Sequence, residues 1–143
     1  LMKVRRIHLE TDYETIKEWW TDRGGEPPPL NMLPDIGVIV EESGIPISCA
    51  FLYRISNASI AIVEWEATNP RFTSALKKVR ALHMAFDFFE EWAKKEETQF
   101  LLSWVLPGRG DGRLLGQRGW VKPQGEPHEM MAFVTMQKEA VCL

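Results

Sequence analysis

The apolar positions of this chain change period several times, and each change marks an element. Val4 to Leu9 reads as a short first strand. Thr11-Asp12-Tyr13-Glu14 then fits a capping box, with Thr11 as N-cap and Glu14 reaching back to its amide. The helix it opens carries Tyr13, Ile16, Trp19 and Trp20 and stops at Gly24-Gly25. Four prolines between Glu26 and Pro34 exclude a regular element from most of that stretch. Its apolar Leu30, Met32 and Leu33 predict a loop packed onto the body of the protein.

Three strands with tight turns follow. Ile36 to Glu42 is the first, and Ser43-Gly44 supplies turn residues. Ile47 to Ile55 is the second, turning at Ser56-Asn57-Ala58, and Ile60 to Thr68 is the third. β-Branched content and short spacing predict an antiparallel meander, which Asn69-Pro70 ends because proline cannot continue the ladder. Thr73 or Ser74 caps the next helix, which runs to about Lys95. Leu76, Val79, Leu82, Phe86, Phe89 and Ala93 recur at spacings of three and four, the mark of one buried stripe. Phe100 to Leu106 is a nearly continuous apolar run, expected as a central strand buried on both faces. Pro107-Gly108-Arg109-Gly110 is a loop, Asp111 caps a short helix ending at Gly119, and Met130 to Met136 makes a last strand.

Bulk properties narrow the class. A chain of 143 residues, 45% hydrophobic and 26% charged, is expected to form one domain over residues 1–143 with a core of ordinary size. A net charge of -3 gives no overall basic footprint for nucleic acid. The longest apolar runs, Ile36 to Val40 and Phe100 to Leu106, are too short to span a bilayer. Leu1-Met2-Lys3-Val4-Arg5-Arg6 lacks the apolar core of a signal peptide, and Leu1 ahead of Met2 reads as a cloning remnant. The two cysteines, Cys49 in an apolar run and Cys142 near the end, make no disulfide framework and no zinc spacing. Cys49 reads as a small buried hydrophobe, and a reducing cytoplasm is the natural compartment.

The order β-α-(loop or helix)-β-β-β-α-β-α-β, closing on Leu114-Leu115-Gly116-Gln117-Arg118-Gly119-Trp120, resembles the GNAT N-acetyltransferase superfamily, whose closing helix usually ends in a Gly-aromatic pair. The resemblance covers nearly the whole chain. It implies an α/β (α+β) fold: a mixed, mostly antiparallel sheet of about six to seven strands flanked by helices. The Trp-rich N-terminal half and Phe51-Leu52-Tyr53-Arg54 are also similar to compact GNAT-like proteins carried by bacteriophages.

The resemblance implies acetyl-CoA as co-substrate and a small-molecule or protein amine as acceptor. The Ile60 to Thr68 strand, with Trp65 and Ala67, would offer backbone groups to the pantetheine arm. The turn after it would hold the pyrophosphate on helix amides. The family pattern there is Gln or Arg, two residues, Gly, one residue, then Gly or Ala. The best match is Arg71-Phe72-Thr73-Ser74-Ala75-Leu76, which keeps the arginine but has Ser74 and Leu76 at the glycine positions. A side chain where backbone should touch phosphate can obstruct it. Arg71, Lys77, Lys78 and Arg80 crowd the positive end of the helix macrodipole, each at a cost of ~0.3–1 kcal/mol that a bound anion would relieve. A solvated face balanced by acids such as Asp87 is the alternative.

Regular alternation on the Ile60 to Thr68 strand puts Glu64 and Glu66 on one face and Val63, Trp65 and Ala67 on the other. Either glutamate is placed to deprotonate an ammonium acceptor, directly or through water; cross-strand pairing with Arg54 is the structural alternative. The family's tyrosine acid has no counterpart, since the only tyrosines are Tyr13 and Tyr53. Ser103, a water or no acid at all serves the departing thiolate. Trp20, Leu30 and Met32, with Trp19, belong to the segment that covers the acceptor in the resembled family. Arg109, Arg113 and Arg118 form a second basic cluster that could meet phosphates. His8, His83 and His128 lie far apart, and no metal site or Ser-His-Asp arrangement can be assembled.

These features predict an acyl-CoA-dependent N-acyltransferase, most simply an acetyltransferase. Two other functions suit the same scaffold: a phage-type binding or inhibitory protein without acetyl transfer, and a nucleic-acid-modifying enzyme resembling Mom, which the acidic net charge disfavours. The sequence does not set the oligomeric state, although Trp-rich segments and an exposed sheet edge are compatible with a homodimer.

Overall fold

The structure, a computed structural model, describes residues 1–105, 111–122 and 130–134. The elements are β1 (Met2–Arg6), α1 (Leu9–Thr21), a 3-10 turn at Leu30–Met32, β2 (Ile36–Glu42), β3 (Ile45–Arg54), β4 (Ile60–Thr68), α2 (Ala75–Lys95), β5 (Phe100–Trp104), α3 (Asp111–Gln117) and β6 (Met130–Val134). Strand order is β1-β2-β3-β4-β5-β6, so the six described strands stand at the lower end of the expected number. β1/β2, β2/β3 and β5/β6 pair antiparallel and β4/β5 parallel, which is the mixed α/β class read from the sequence. Two compact units divide the chain, Leu1–Leu52 with Trp65–Phe88 and Tyr53–Glu64 with Phe89–Leu143.

In the first unit, β1, β2 and β3 form a meander whose β2–β3 turn is Ser43-Gly44, both at positive φ, as a two-residue hairpin requires. Ile7, Ile16, Trp19, Leu33, Ile39, Cys49, Phe51 and Ala67 make one core cluster. Gly37 is obligatory there, because a Cβ would lie 2.7 Å from the Phe51 ring. Tyr13 Oη donates to the buried Pro28 carbonyl at 2.9 Å, which fixes the proline-rich segment. Of the three apolar residues expected to pack from this segment only Leu33 does; Leu30 and Met32 are 48% and 54% exposed.

Helix α1 begins two residues before the N-cap that the Thr11 box predicts. His8 occupies the N-cap without a side-chain cap. Instead Asp12 Oδ2 accepts the His8 amide at 2.8 Å, while Arg5 donates to both Asp12 oxygens at 2.8 and 2.9 Å and to Glu41 Oε2 at 2.9 Å. Lys3 adds a contact to Glu41 Oε1 at 3.3 Å. A carboxylate fixed by a bidentate guanidinium outcompetes an exposed threonine for the helix start. Glu14 pairs on the surface with Lys17.

Helix α2 starts where expected, on Ser74, but its buried stripe is rotated at the first turns. Leu76 and Val79 are 74% and 46% exposed, and Ala81, Ala85 and Phe86 are buried. The inward row, spaced by four, begins at Lys77, whose ammonium reaches Glu42 at 2.7 Å; the alanines after it leave room for close approach.

In the second unit, the two faces of β5 are unequally covered. Leu101 and Ser103 are buried, Phe100 and Leu102 are half-buried and Trp104 is 57% exposed, against the expectation of burial on both faces; Leu106 lies outside the described residues. Ser59 ties the starts of β4 and β5 together by accepting the Gln99 and Phe100 amides. The core here includes Ala61, Val63, Phe89, Ala93, Leu101, Leu114, Leu115 and Trp120.

The three described α-helices end in the same way. A left-handed residue follows the last turn, and two amides reach back to the exposed carbonyls. Gly24 and Gly119 fill that position for α1 and α3, and Glu97 fills it for α2 at φ 55°. The Thr98 amide reaches the Ala93 carbonyl at 2.9 Å and the Trp120 amide reaches Leu115 at 3.0 Å. The Gly119-Trp120 pair is therefore a helix cap followed by a buried anchor: Trp120 is 2% exposed and its indole Nε1 donates to Glu90 Oε1 at 2.9 Å. Arg118 completes the group through a two-point ion pair with the same carboxylate.

Two outcomes follow from these features. Glu97→Gly removes the left-handed penalty and should raise stability by about 1 kcal/mol in urea denaturation. Arg5 hydrogen bonds hold the Asp12 and Glu41 carboxyls below the usual carboxylate range. Their contribution is complete above the unfolded carboxylate pKa of about 4 and drains as pH falls through the lower folded values. Thermal unfolding from pH 7 to pH 2 should show this acid limb, and Arg5→Met should flatten it.

Candidate functional site

Strand β4 carries the expected chemistry, and its geometry departs from simple alternation. Ala61, Val63 and Ala67 are buried, but Trp65 between them stands at φ 60°, in the left-handed region. Such a residue inside a strand marks a bulge, so Glu64 and Glu66 are not equivalent positions on one flat face. Holding a tryptophan there costs about 1–3 kcal/mol, which its surroundings must offset. They do so from the first unit: the Trp20 ring meets Trp65 edge-on at 6.3 Å, and the Cys49 thiol faces the Trp65 carbonyl at 3.9 Å. Burial pushes the Cys49 thiol up, so it is inert packing, as its apolar surroundings predicted.

The end of β4 is clamped by the end of α1. Arg23 Nη2 donates to the Thr68 carbonyl and, at 2.7 Å, to Thr68 Oγ1. Asn69 organises the following turn. Its amide bonds to the Ile47 carbonyl at 2.8 Å, its Nδ2 donates to the Pro46 carbonyl at 2.9 Å and its Oδ1 accepts the Arg71 amide at 3.0 Å. Ser74 Oγ accepts the Lys77 amide at 3.2 Å, the N-cap that the sequence predicted. Thr73, Ala75 and Leu76 are exposed at the helix start.

The cations expected around an anion are largely matched already. Arg71 lies 3.5 Å from Glu18 and 3.3 Å from Asp22, both on or beside the end of α1, and Lys77 lies on Glu42. Those three acids do the balancing that was expected of nearby acids such as Asp87. Lys78 and Arg80 make no ion pair among the described residues. Leu76, at the second glycine position, is not held over the helix start by packing, since it is 74% exposed. Trp20 is half-buried against Trp65, while Leu30 and Met32 present apolar surface.

In the second unit the parallel β4/β5 register covers Ile60, Ala61 and Ile62 against Phe100, Leu101 and Leu102. Two residues further on, Glu64 Oε1 accepts the Trp104 amide at 2.7 Å. Ser103 is 1% exposed. The second basic cluster is not a common surface, because Arg118 is held by the buried Glu90; Arg113 is exposed and Arg109 lies outside the described residues. His8 sits at the N-cap position of α1, His83 is half-buried on α2 and His128 lies outside the described residues, as does Cys142. No group of three metal-binding side chains occurs among the described residues, and no described helix is long and apolar enough to cross a membrane.

Sequence reasoning missed Arg23, Asn69, Glu18 and Asp22. Asn69-Pro70 is a turn dipeptide and could have flagged the Asn69 side chain; nothing local marks the other three, whose partners are more than 40 residues away.

Solved structures share this fold. The ribosomal-protein-S18-alanine N-acetyltransferase from Escherichia coli matches with a TM-score of 0.72 at 12% identity over 100% of both chains. Ard1 from Thermoplasma volcanium matches with a TM-score of 0.72 at 12% identity, over 95% of this chain and 99% of that one. N-acetylglutamate synthase from Neisseria gonorrhoeae, solved with coenzyme A and L-arginine, matches with a TM-score of 0.69 at 15% identity. That match covers 93% of this chain and 33% of the synthase, so the chain spans about a third of that protein's length. The fold is thus that of the GNAT N-acetyltransferases. No protein-family model and no curated protein matches the sequence.

Ser74 gives a direct test of the helix start. Ser74→Ala should cost about 1 kcal/mol in urea denaturation and Ser74→Gly only a few tenths, because glycine remains an acceptable N-cap.

Proposed function

We propose that residues 1–143 form one GNAT-like domain acting as an acyl-CoA-dependent N-acyltransferase, most simply an acetyltransferase, on a primary amine of a small molecule or a protein. The observation that carries this reading is the left-handed Trp65 in the middle of β4. Strain of that kind persists where function requires it, and a bulge turns backbone amides out of the ladder, where they can polarise a thioester carbonyl.

Acetyl-CoA is the substrate that the α2 start fits. The N-terminus of a 21-residue helix is exposed at Thr73, Ala75 and Leu76, and Lys78 stands one turn inside it. Amides and dipole there favour a pyrophosphate. Arg71 and Lys77 would join it by exchanging their carboxylate partners for phosphate. The amine, once deprotonated, attacks the thioester carbonyl carbon. The C–N bond forms, the C–S bond breaks, and coenzyme A leaves as thiolate, protonated by water. Glu66 is assigned as the base that takes the ammonium proton, because it follows the left-handed Trp65 on the side of β4 that leads to the α2 start.

The reading is supported by the coenzyme A present in the gonococcal synthase structure, a protein of the same fold. A different observation favours a second reading, a binding protein that has given up the cofactor: Arg71 and Lys77 already have carboxylate partners. Thermal unfolding with millimolar acetyl-CoA and free CoA separates the two. Ligand at 100 times its Kd should add about 2.7 kcal/mol. Absence of any shift with either compound, together with one stoichiometric protein partner in a pull-down, would leave the binding protein standing and remove the enzyme.

A further inference from the structure

Glu64 sits where the β4/β5 pairing changes character. The register is carried by main chain through Ile62 and Leu102. A parallel ladder continuing from there would give the Trp104 amide to a β4 carbonyl. The Trp104 amide instead goes to Glu64 Oε1 at 2.7 Å, so a side chain stands where backbone is expected. Directly paired strands lie about 4.8 Å apart, and an amide bonded to a carboxylate at the end of a side chain satisfies itself without that approach. Trp104 is 57% exposed, so the carboxylate and not burial shields this bond. The bond is charge-assisted and short, the stronger kind of hydrogen bond.

We infer that Glu64 is a positioning residue: its carboxylate ends the β4/β5 ladder as a strut, accepting the Trp104 amide so that the two strands are tied at that point without zipping together. Its role in acyl transfer rests on the function proposed above; its role as a strut does not. The strut also separates the two β4 glutamates by task. Glu64 lies before the Trp65 irregularity and spends a lone pair on the amide, whereas Glu66 lies beyond it and is assigned the proton.

Amide hydrogen exchange at Trp104, measured by NMR on the full chain, tests the strut whether or not the protein proves to be an enzyme. Glu64→Ala should speed exchange at Trp104 by about tenfold, the equivalent of one net hydrogen bond. Glu64→Gln keeps an acceptor oxygen and should restore slow exchange. Glu66→Gln should leave Trp104 protection as it is. In acetyl transfer, Glu64→Ala should raise KM for acetyl-CoA while the shape of the pH-rate profile persists, Glu64→Gln should reverse that rise, and Glu66→Gln should remove the profile's limb for the base. Unaltered Trp104 exchange in Glu64→Ala overturns the strut. A pH-rate limb lost in Glu64→Gln and kept in Glu66→Gln overturns the division of labour. Wild-type protein that neither binds CoA nor transfers acetyl defeats the enzyme reading alone, and the exchange data then decide the strut by themselves.

Discussion

Arg5 stands where β1, β2 and α1 meet, and one guanidinium holds all three. It belongs to β1, reaches β2 through Glu41 and fixes the start of α1 through Asp12. A helix of 13 residues is roughly 20 Å long, so fixing its start aims its far end. That end delivers Trp20 to Trp65 and Arg23 to Thr68, the contacts that hold the bulged part of β4. The strained tryptophan is thus supported by an ion pair at the opposite end of a helix. Ile16 and Trp19 bury the face between and keep the helix rigid over that length.

Strands β2 and β4 were legible to the residue, because β-branched runs closed by Ser43-Gly44 and Asn69-Pro70 leave few alternatives. The start of α2 at Ser74 and the end of α3 at Gly119 were equally plain, since both depend on local capping chemistry. The start of α1 was misread because Thr11 and Glu14 form a good local motif, while the partner that wins comes from Arg5 on a neighbouring strand. The first turns of α2 were misread for a related reason. Leu76 and Val79 match the apolar period, but the inward row is set by Lys77 meeting Glu42. Periodicity reports which residues prefer burial; it does not report an ion pair that turns the helix.

The candidate site was legible in part. The position of the glutamates, the basic helix start and the missing loop glycines could all be read in the chain. What could not be read is how far the site answers itself. Asn69 takes the Arg71 amide, Ser74 takes the Lys77 amide, and Glu18 with Asp22 occupies the Arg71 guanidinium. Each partner arrives from a turn or another element, so no window of sequence contains the set. The left-handed Trp65 is likewise invisible to pattern, since alternation fixes which side a residue faces and says nothing of the sign of one φ angle.

The Glu90, Arg118 and Trp120 group has a consequence for how this protein can change over evolutionary time. An apolar anchor can drift one residue at a time, because a leucine replaced by a methionine still fills most of its volume. Here the anchor is polar, with the Arg118 and Glu90 side chains both 11% exposed, and loss of any one member leaves buried charge or an unbonded polar group. Single steps away from it pass through a destabilised intermediate, whereas a joint replacement by apolar residues need not. The three positions are therefore expected to be retained or exchanged together, as one inherited character, which rations the routes by which the α3 seat can diverge.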